Sequence, residues 1–296
     1  MLKGWLKKMN EGVSVVICVR NEENYVKECL NSILRQSFFE FELIIIDDQS
    51  SDNTANIIGA FNDKRIKYFR NEKRLGISGS RNKGLKNASG VYIFFTDGDC
   101  TISKNWVEEG LKYFQDNSCI AVEGAIYYVS RDYEPTFSDY VMENKSGGKF
   151  MTGSMAYKKN VLQAVGGFDE ELHYFEDRDI AFKIMRLGKI CFSPKMIAYH
   201  PRVTQTPKKF IESASHSQYR VRLFKRYGDK ECMAGRIAFP LDLVKIICPP
   251  VVFASLFHNK FQGSDDYKLV PFTYIYAISE RLQLWKRCIK ERIFLI

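Results

Sequence analysis

The first half of the chain repeats one pattern: an apolar run, a polar turn and a segment with helical spacing. The apolar runs lie at residues 13–19, 41–46, 66–69 and 91–95, and the helical segments between them at 25–35, 54–61 and 75–88. Continuous β-branched runs are typical of strands that are covered on both faces. Strands that alternate with helices in this way form βαβ units. The sequence therefore predicts an α/β fold with a mostly parallel sheet flanked by helices.

Polar side chains follow three of the predicted strands: Arg20 and Asn21 the first, Asp47 and Asp48 the second, Asp97 and Asp99 the fourth. In sheets of this type ligands bind outside the carboxyl ends of the strands, so we expect these groups to meet. A buried strand that ends in two carboxylates is costly unless a cation is present. Divalent cations such as Mg²⁺ bind carboxylate and phosphate oxygens together. Asp97 and Asp99 therefore predict a metal site, with a simple Asp-Gly turn as the alternative.

A second group of acids, Glu176, Asp177 and Asp179, begins a predicted helix that runs to residue 187. Acids in the first turn of a helix are ordinary partners of its dipole, so this group alone does not indicate a site. His200 follows a short predicted strand at 196–199, after another at 190–192. On its own this histidine is more often a satisfied residue at a strand end than a metal ligand.

The residues of the turn after the first strand argue against two enzyme classes. A dinucleotide-binding oxidoreductase should have its glycine fingerprint there, but the glycines stand at 76, 79 and 84 instead. A nucleotidyltransferase would normally have a glycine-rich, basic loop at that turn, and residues 20–23 include two glutamates. The nucleotidyltransferase and a sugar-nucleotide-binding regulator without catalysis remain alternatives.

Six motifs in order resemble the GT-A-fold glycosyltransferases of family 2. They lie at 13–22, 46–52, 76–84, 95–99, 165–170 and 176–180, and the resemblance covers about residues 12 to 200. It implies a GT-A fold and a nucleotide-sugar donor, most often linked to uridine in this family. It also implies transfer of one sugar to an acceptor hydroxyl, with inversion at the anomeric carbon.

The resemblance assigns a donor-nucleotide role to Val19, Arg20, Asn21, Glu22, Asp48, Arg81, Asp97 and Gly98. Within this set it implies that Asp48 contacts the nucleobase, Asp97 the ribose, and Arg81 the diphosphate or the base. It implies metal ligation by Asp99 and His200, with Mn²⁺ or Mg²⁺ as the ion. An imidazole ligand favours Mn²⁺ over Mg²⁺, which prefers oxygen ligands.

On the acceptor side, the resemblance makes Asp177 the general base, with Glu176 beside it in the catalytic group. We expect repulsion from Glu176 and Asp179 to raise the pKa of Asp177, which suits a base. Gly153 and Ser154 are the expected acceptor contacts, although Ser154 stands where the family frequently has an asparagine.

The positive charge of the chain is concentrated in its last third. Residues 201–296 hold 17 basic and 8 acidic residues, which accounts for the whole net charge of +9. The apolar stretch 237–257 is broken by prolines and charges, so it predicts an interfacial or re-entrant piece and not a spanning helix. Aromatic and basic residues mixed over 274–292 suit a membrane surface. Packing or a homo-oligomer is the alternative, and no nucleic-acid-binding module is visible.

These features predict a cytoplasmic enzyme bound to the inner face of the cell membrane, with a lipid-linked or surface glycan as acceptor in polysaccharide biosynthesis. The eight cysteines are scattered without a C-x-x-C pair, which fits a reducing compartment. Residues 1–11 lack the apolar segment of a secretory signal. The expected domains are an N-terminal extension at 1–11, a catalytic domain at 12–228 and a C-terminal helical region at 229–296.

Overall fold

The computed structural model describes residues 12–130, 132–228, 261 and 264–292. In chain order its strands and helices are β1 (Val13–Val19), α1 (Val26–Leu34), β2 (Phe41–Asp47), α2 (Thr54–Gly59), β3 (Ile66–Arg70), α3 (Gly76–Asn87), β4 (Tyr92–Asp97), β5 (Thr101–Ile102), α4 (Trp106–Tyr113), β6 (Cys119–Tyr128), β7 (Met155–Lys158), α5 (Lys159–Ala164), α6 (Glu176–Met185), β8 (Lys189–His200), α7 (Pro207–Ser213), α8 (Ser217–Tyr227), α9 (Ser264–Leu269) and α10 (Thr273–Glu291). Short 3₁₀ turns lie at 152–154, 214–216 and 270–272. The predicted extension at 1–11 and apolar stretch at 237–257 lie outside the described residues.

The strands form one sheet in the order β3-β2-β1-β4-β7-β6-β8-β5. β1 runs parallel to β2 and β4, β2 to β3, and β6 to β8. β7 is antiparallel to both of its neighbours, and β5 is antiparallel to β8. The predicted α/β fold with a mostly parallel sheet is therefore confirmed.

Alternate residues of β1 enter two separate cores, because successive side chains of a strand point to opposite faces of the sheet. Val15 and Ile17 pack into a core that includes α1 and α4, whereas Val16 packs into one that includes α3 and α6. All three side chains are fully buried. Helices thus cover both faces of the sheet and leave its carboxyl edge open for a site.

β8 is one strand where the sequence predicts two short ones. Its pairing with β6 jumps from Ser193 to Ile197, so that Pro194 falls in an unpaired bulge. Proline cannot donate a ladder hydrogen bond and is tolerated in a sheet at such positions. Because the strand continues past the bulge, it pairs His200 with Tyr128 at the end of β6.

The described residues form two compact units. The first consists of 12–130 and 142–201, and the second of 132–141 with the described residues from 202 onward. In the second unit Asp139 accepts a hydrogen bond from Arg202 Nε at 2.9 Å, and Ser217 Oγ of α8 donates to the carbonyl of Glu280 on α10 at 3.3 Å. The predicted boundaries at residues 12 and 229 stay predictions.

Residues 207–227 form two helices, α7 and α8, joined by a 3₁₀ turn. Among the described residues, no helix combines the length and the apolar character needed to cross a membrane.

Candidate active site

A pocket of about 310 Å³ opens at the carboxyl ends of β1, β2 and β4. Its lining residues come from these strand ends and from the start of α3: Cys18, Val19, Arg20, Glu22, Asp48, Arg74, Gly76, Ile77, Ser80, Asp97, Gly98 and Asp99. Seven of them belong to the donor and metal residues expected from the sequence, and their individual roles stay predictions.

Asp48 is buried, and its carboxylate holds the loop that leads into α3. It accepts hydrogen bonds from Asn71 Nδ2 at 2.8 Å and from the backbone N–H groups of Leu75 and Gly76 at 2.8 and 3.0 Å. The N–H groups at the start of a helix have no partner within the helix, so a carboxylate there is stabilising. Asp48 therefore shapes the wall of the pocket.

Asn21 ties the loop after β1 to the loop after β2. Its backbone lies in the left-handed region at φ 58°, its N–H donates to Ser50 Oγ at 3.1 Å, and its Oδ1 accepts from the Ser51 N–H at 2.8 Å. The predicted donor residue Asn21 is not among the lining residues, but it fixes the loop that carries Arg20 and Glu22.

Glu22 faces Asp97, the last residue of β4, and Asp99, two residues beyond it. Burial raises the pKa of Glu22 to about 8, and the carboxylates of Asp99 and Asp97 add to this effect by repulsion. The pocket thus gathers three carboxyl groups at this end that repel one another when all are ionised. Such a group of acids favours a bound cation.

Gly98 lets the turn after β4 pack against the end of β1. A Cβ atom at this position would lie 2.5 Å from Val19 Cγ1 and 3.1 Å from the carbonyl oxygen of Cys18. Any larger residue would push the turn away from β1. The glycine therefore sets the positions of Asp97 and Asp99 on either side of it.

Asp99 and His200 have the geometry of a metal-binding pair. His200 Nε2 lies 3.4 Å from Asp99 Oδ2, and His200 Nδ1 lies 2.8 Å from the carbonyl oxygen of Pro201. A carbonyl can only accept, so Nδ1 carries a proton, and in the neutral imidazole Nε2 then offers its lone pair to a cation. Asp99 Oδ1 is buried and has no hydrogen-bond partner in the described part of the chain. These residues fit a divalent cation.

Arg81 on α3 joins the acid of β4 to the acids of α6. Its Nη1 donates to Glu176 Oε1 at 2.5 Å and its Nη2 to Asp97 Oδ1 at 3.1 Å, and its guanidinium lies over the Phe168 ring at 5.5 Å. Arg81 is only 6% exposed. The expected contact of Arg81 with the donor stays a prediction, since in this structure both carboxylates engage the guanidinium.

Asp177 lies in the first turn of α6, after Phe175, whose backbone is left-handed at φ 63°. Burial raises the pKa of Asp177 to about 7, and the Glu176 carboxylate raises it further than Arg81 lowers it. The sequence attributes the raised pKa to repulsion alone, and the structure corrects this, because burial is the larger cause. Asp179 is paired with Lys183 Nζ at 2.8 Å.

The two expected acceptor residues differ in their surroundings. Ser154 is fully buried, and its hydroxyl accepts from Trp106 Nε1 at 2.9 Å and donates to the carbonyl of Met196 at 3.1 Å. At Gly153, a Cβ atom would lie 2.9 Å from Asp97 Oδ2. An acceptor contact at these positions stays a prediction, and it would have to use backbone atoms.

Sequence reasoning missed five lining residues: Cys18, Arg74, Gly76, Ile77 and Ser80. Arg74 is an exposed cation two residues before the start of α3. Its position in the loop before a helix at the carboxyl edge could have indicated it, because such loops build the ligand sites of α/β sheets.

Comparison with known proteins identifies the family. The family model for glycosyl transferase family 2 matches residues 14–169, more than half of the chain. The chain is 31% identical over 154 residues to the UDP-Glc:α-D-GlcNAc-diphosphoundecaprenol β-1,3-glucosyltransferase WfgD of Escherichia coli, a match that covers 52% of the chain and 56% of WfgD. In matches to eight curated relatives, the chain covers 16% to 62% of the relative's own length.

Two solved structures share the fold. TarS 1–349 of S. aureus, in complex with UDP, superposes with a TM-score of 0.58 at 19% identity over 95% of this chain and 91% of that one. The mannosyltransferase PcManGT of Pyrobaculum calidifontis, in complex with GDP-Man and Mn²⁺, gives a TM-score of 0.62 at 16% identity over 93% of this chain and 87% of that one. The predicted GT-A fold is confirmed. The chain belongs to glycosyl transferase family 2.

Proposed function

We propose that the protein is an inverting, metal-dependent glycosyltransferase that moves a sugar from a UDP-linked donor to an acceptor hydroxyl. One observation carries the proposal. Arg81 pairs both with Asp97, which lines the pocket, and with Glu176 on α6. Next to Glu176 lies Asp177, whose pKa is raised to about 7. The residues expected to bind the leaving group and the candidate base are thus connected through Arg81. WfgD is named for a UDP-glucose donor and TarS was solved with UDP, which supports a uridine nucleotide.

The donor half of the site is the 310 Å³ pocket. In the proposal the nucleoside lies against the wall shaped by Asp48, and the ribose lies by Asp97. The diphosphate reaches the end of the pocket where Asp99 and His200 face each other at 3.4 Å. A Mn²⁺ or Mg²⁺ ion bound there supplies positive charge to the leaving diphosphate. PcManGT was solved with Mn²⁺, which supports a divalent ion at such a site.

The acceptor half depends on Asp177. The attacking hydroxyl must lose its proton as the new bond forms, and a carboxylate within hydrogen-bond reach takes that proton. A pKa of about 7 keeps Asp177 basic enough for this step and still largely ionised just above neutral pH. Attack from the side opposite the leaving diphosphate inverts the anomeric carbon.

Donor binding is tested by thermal unfolding of the full chain with a panel of nucleotide sugars, with and without Mn²⁺. We expect UDP-sugars to raise the unfolding midpoint, because a ligand present at about 100 times its Kd adds roughly 2.7 kcal/mol. Mn²⁺ should enlarge the rise in the wild type but not in Asp99→Asn, which loses a charged ligand. Asp116→Asn, at the amino edge of the sheet, is the matched control and should behave as the wild type. Equal stabilisation with and without Mn²⁺ would contradict the metal role.

The proposal also includes a lipid-linked acceptor and binding of the enzyme to the membrane surface. Exposed residues of α10 support this part. Ile275, Leu282 and Ile289 are exposed and seven residues apart, so they share one face of the helix. Exposed Lys286 lies on that face, and Lys290 lies beside it. An apolar stripe with lysines suits an anionic lipid surface. WfgD is named for a diphosphoundecaprenol-linked acceptor, which supports a lipid-linked glycan.

Flotation with anionic liposomes tests this surface. We expect the full chain to float, and Leu282→Glu to lower the floating fraction severalfold, because a charge replaces apolar contact with the bilayer. Leu187→Glu is the matched control: Leu187 is 56% and Leu282 54% exposed, but Leu187 lies in the first unit. If both variants float like the wild type, the α10 stripe does not bind lipid. An oligomer at higher mass that is lost only in Leu282→Glu would instead favour self-association.

A further inference from the structure

The residue that follows the acid pair is a cysteine whose thiol faces the same space. Cys100 Sγ and one carboxylate oxygen each of Asp97 and Asp99 all lie within 4.8 Å of one another. Cys100 itself is 1% exposed. Among the described residues this is the group of carboxylates, thiols and imidazoles compact enough to hold an ion.

The distances are close to those of a common coordination sphere. With bonds of about 2.0 to 2.3 Å, two ligand atoms on opposite sides of one ion lie roughly 4.5 Å apart, and adjacent ones lie closer. The separations between the atoms of Asp97, Asp99 and Cys100 therefore exceed the span of one coordination sphere by no more than a few tenths of an ångström. His200 Nε2 lies 3.4 Å from Asp99 Oδ2 but is not part of this group.

A second observation points to the same space. Asp99 Oδ1 is buried and has no hydrogen-bond partner in the part of the chain that the structure describes. A buried carboxylate oxygen without a partner is costly. An ion between Asp99 and Cys100 would satisfy it, whereas a purely structural turn would leave the cost in place.

We propose that Cys100 is a further ligand of the cation held by Asp99, and that its sulfur gives the site a preference for soft divalent ions. On binding, the Sγ–H bond breaks, the electron pair on sulfur forms the bond to the ion, and the proton leaves to solvent. Thiolate ligands favour soft and borderline ions such as Cd²⁺, Zn²⁺ and Co²⁺, while sites with oxygen ligands suit Mg²⁺. The inference rests on the proposed function, because it concerns the ion of that site.

Absorption spectroscopy with Co²⁺ tests the ligand directly. We expect the full chain to show a sulfur-to-cobalt charge-transfer band in the near ultraviolet. Cys100→Ser should still bind Co²⁺ but lack the band. Cys29→Ser is the matched control, because Cys29 is also buried beside the site and its Sγ donates to the Asp97 carbonyl at 3.5 Å. It should keep the band. Loss of Cys100 should also weaken Cd²⁺ binding by at least the roughly 10- to 100-fold that the loss of a residue supporting a metal ligand costs.

Alkylation of the wild-type protein followed by peptide mapping keeps the test independent of how the variant folds. Cd²⁺ should slow the alkylation of the buried Cys100 and leave the rate at Cys288, a half-buried thiol on α10, unchanged. Co²⁺ absorption without a sulfur band, or Cd²⁺ without protection of Cys100, overturns the inference and leaves the proposed function standing. If neither ion binds but UDP-sugars still stabilise the chain, both the inference and the metal role are wrong.

Discussion

Replacing Asp177 with asparagine is expected to lower the rate of glycosyl transfer by about 10²- to 10⁴-fold, the usual contribution of a general base. Asparagine keeps the shape of the side chain but cannot take the proton of the acceptor hydroxyl. Donor binding should be unchanged, because Asp177 is not among the residues that line the donor pocket. The measurements are initial rates of transfer, with acceptor and donor varied separately, and UDP-sugar affinity from thermal unfolding.

The dependence of the wild-type transfer rate on pH should report the titration of Asp177. Burial and the Glu176 carboxylate raise the pKa of Asp177 to about 7, so the rate should fall about tenfold per pH unit below 7. The residual rate of the asparagine variant should lack this fall. A near wild-type rate in the variant, or an unchanged acid limb, would show that another group acts as the base.

The stability of Asp177→Asn shows whether a loss of transfer comes from the missing base or from damage to the fold. A carboxyl whose pKa is raised by folding binds more protons in the folded than in the unfolded state, so its contribution to stability falls as pH rises from about 4 to 7. Removing the charge should therefore leave the variant at least as stable as the wild type above pH 7. A loss of transfer that comes with a lower unfolding midpoint would point to damage of the fold instead.

The sequence predicts the donor half of the site well, for a physical reason. Asp48, Asp97 and Asp99 each follow an apolar strand, and the carboxyl ends of parallel strands share one edge of the sheet. Strand ends can be read from local patterns of apolar and polar residues. An acid directly after a strand can therefore be placed at the carboxyl edge of the sheet from the sequence alone. This holds even for Asp48 and Asp97, which are 49 positions apart in the chain.

The direction of a side chain is not encoded in this way. Arg81 and Glu176 meet across 95 residues because α3 and α6 pack on the same face of the sheet, which no local pattern reports. The Ser154 hydroxyl points into the core because Trp106 and Met196 offer it partners there. Cys100 carries no periodic signal at all. The sequence thus predicts which loops form the site but not which atoms face each other.

Replacing Arg81 with methionine is expected to destabilise the fold by about 3 to 5 kcal/mol, the usual cost of removing one partner of a buried ion pair. Burial alone would lower the pKa of the guanidinium, but the carboxylates of Glu176 and Asp97 raise it above its ordinary value, so Arg81 is charged. Methionine fills similar space and leaves the largely buried Glu176 without its cation. Unfolding in urea measures the change.

The control variants separate charge from geometry. Lys86→Met removes a charge from the exposed face of the same helix and should change stability by no more than about 0.5 kcal/mol. Arg81→Lys keeps the charge but loses the fork that reaches two carboxylates at once, so it should fall between the wild type and Arg81→Met. If Arg81→Met is as stable as Lys86→Met, the ion pairs do not hold α3 to α6. In that case Arg81 is free to serve the donor, and Glu176 must find its compensation elsewhere in the site.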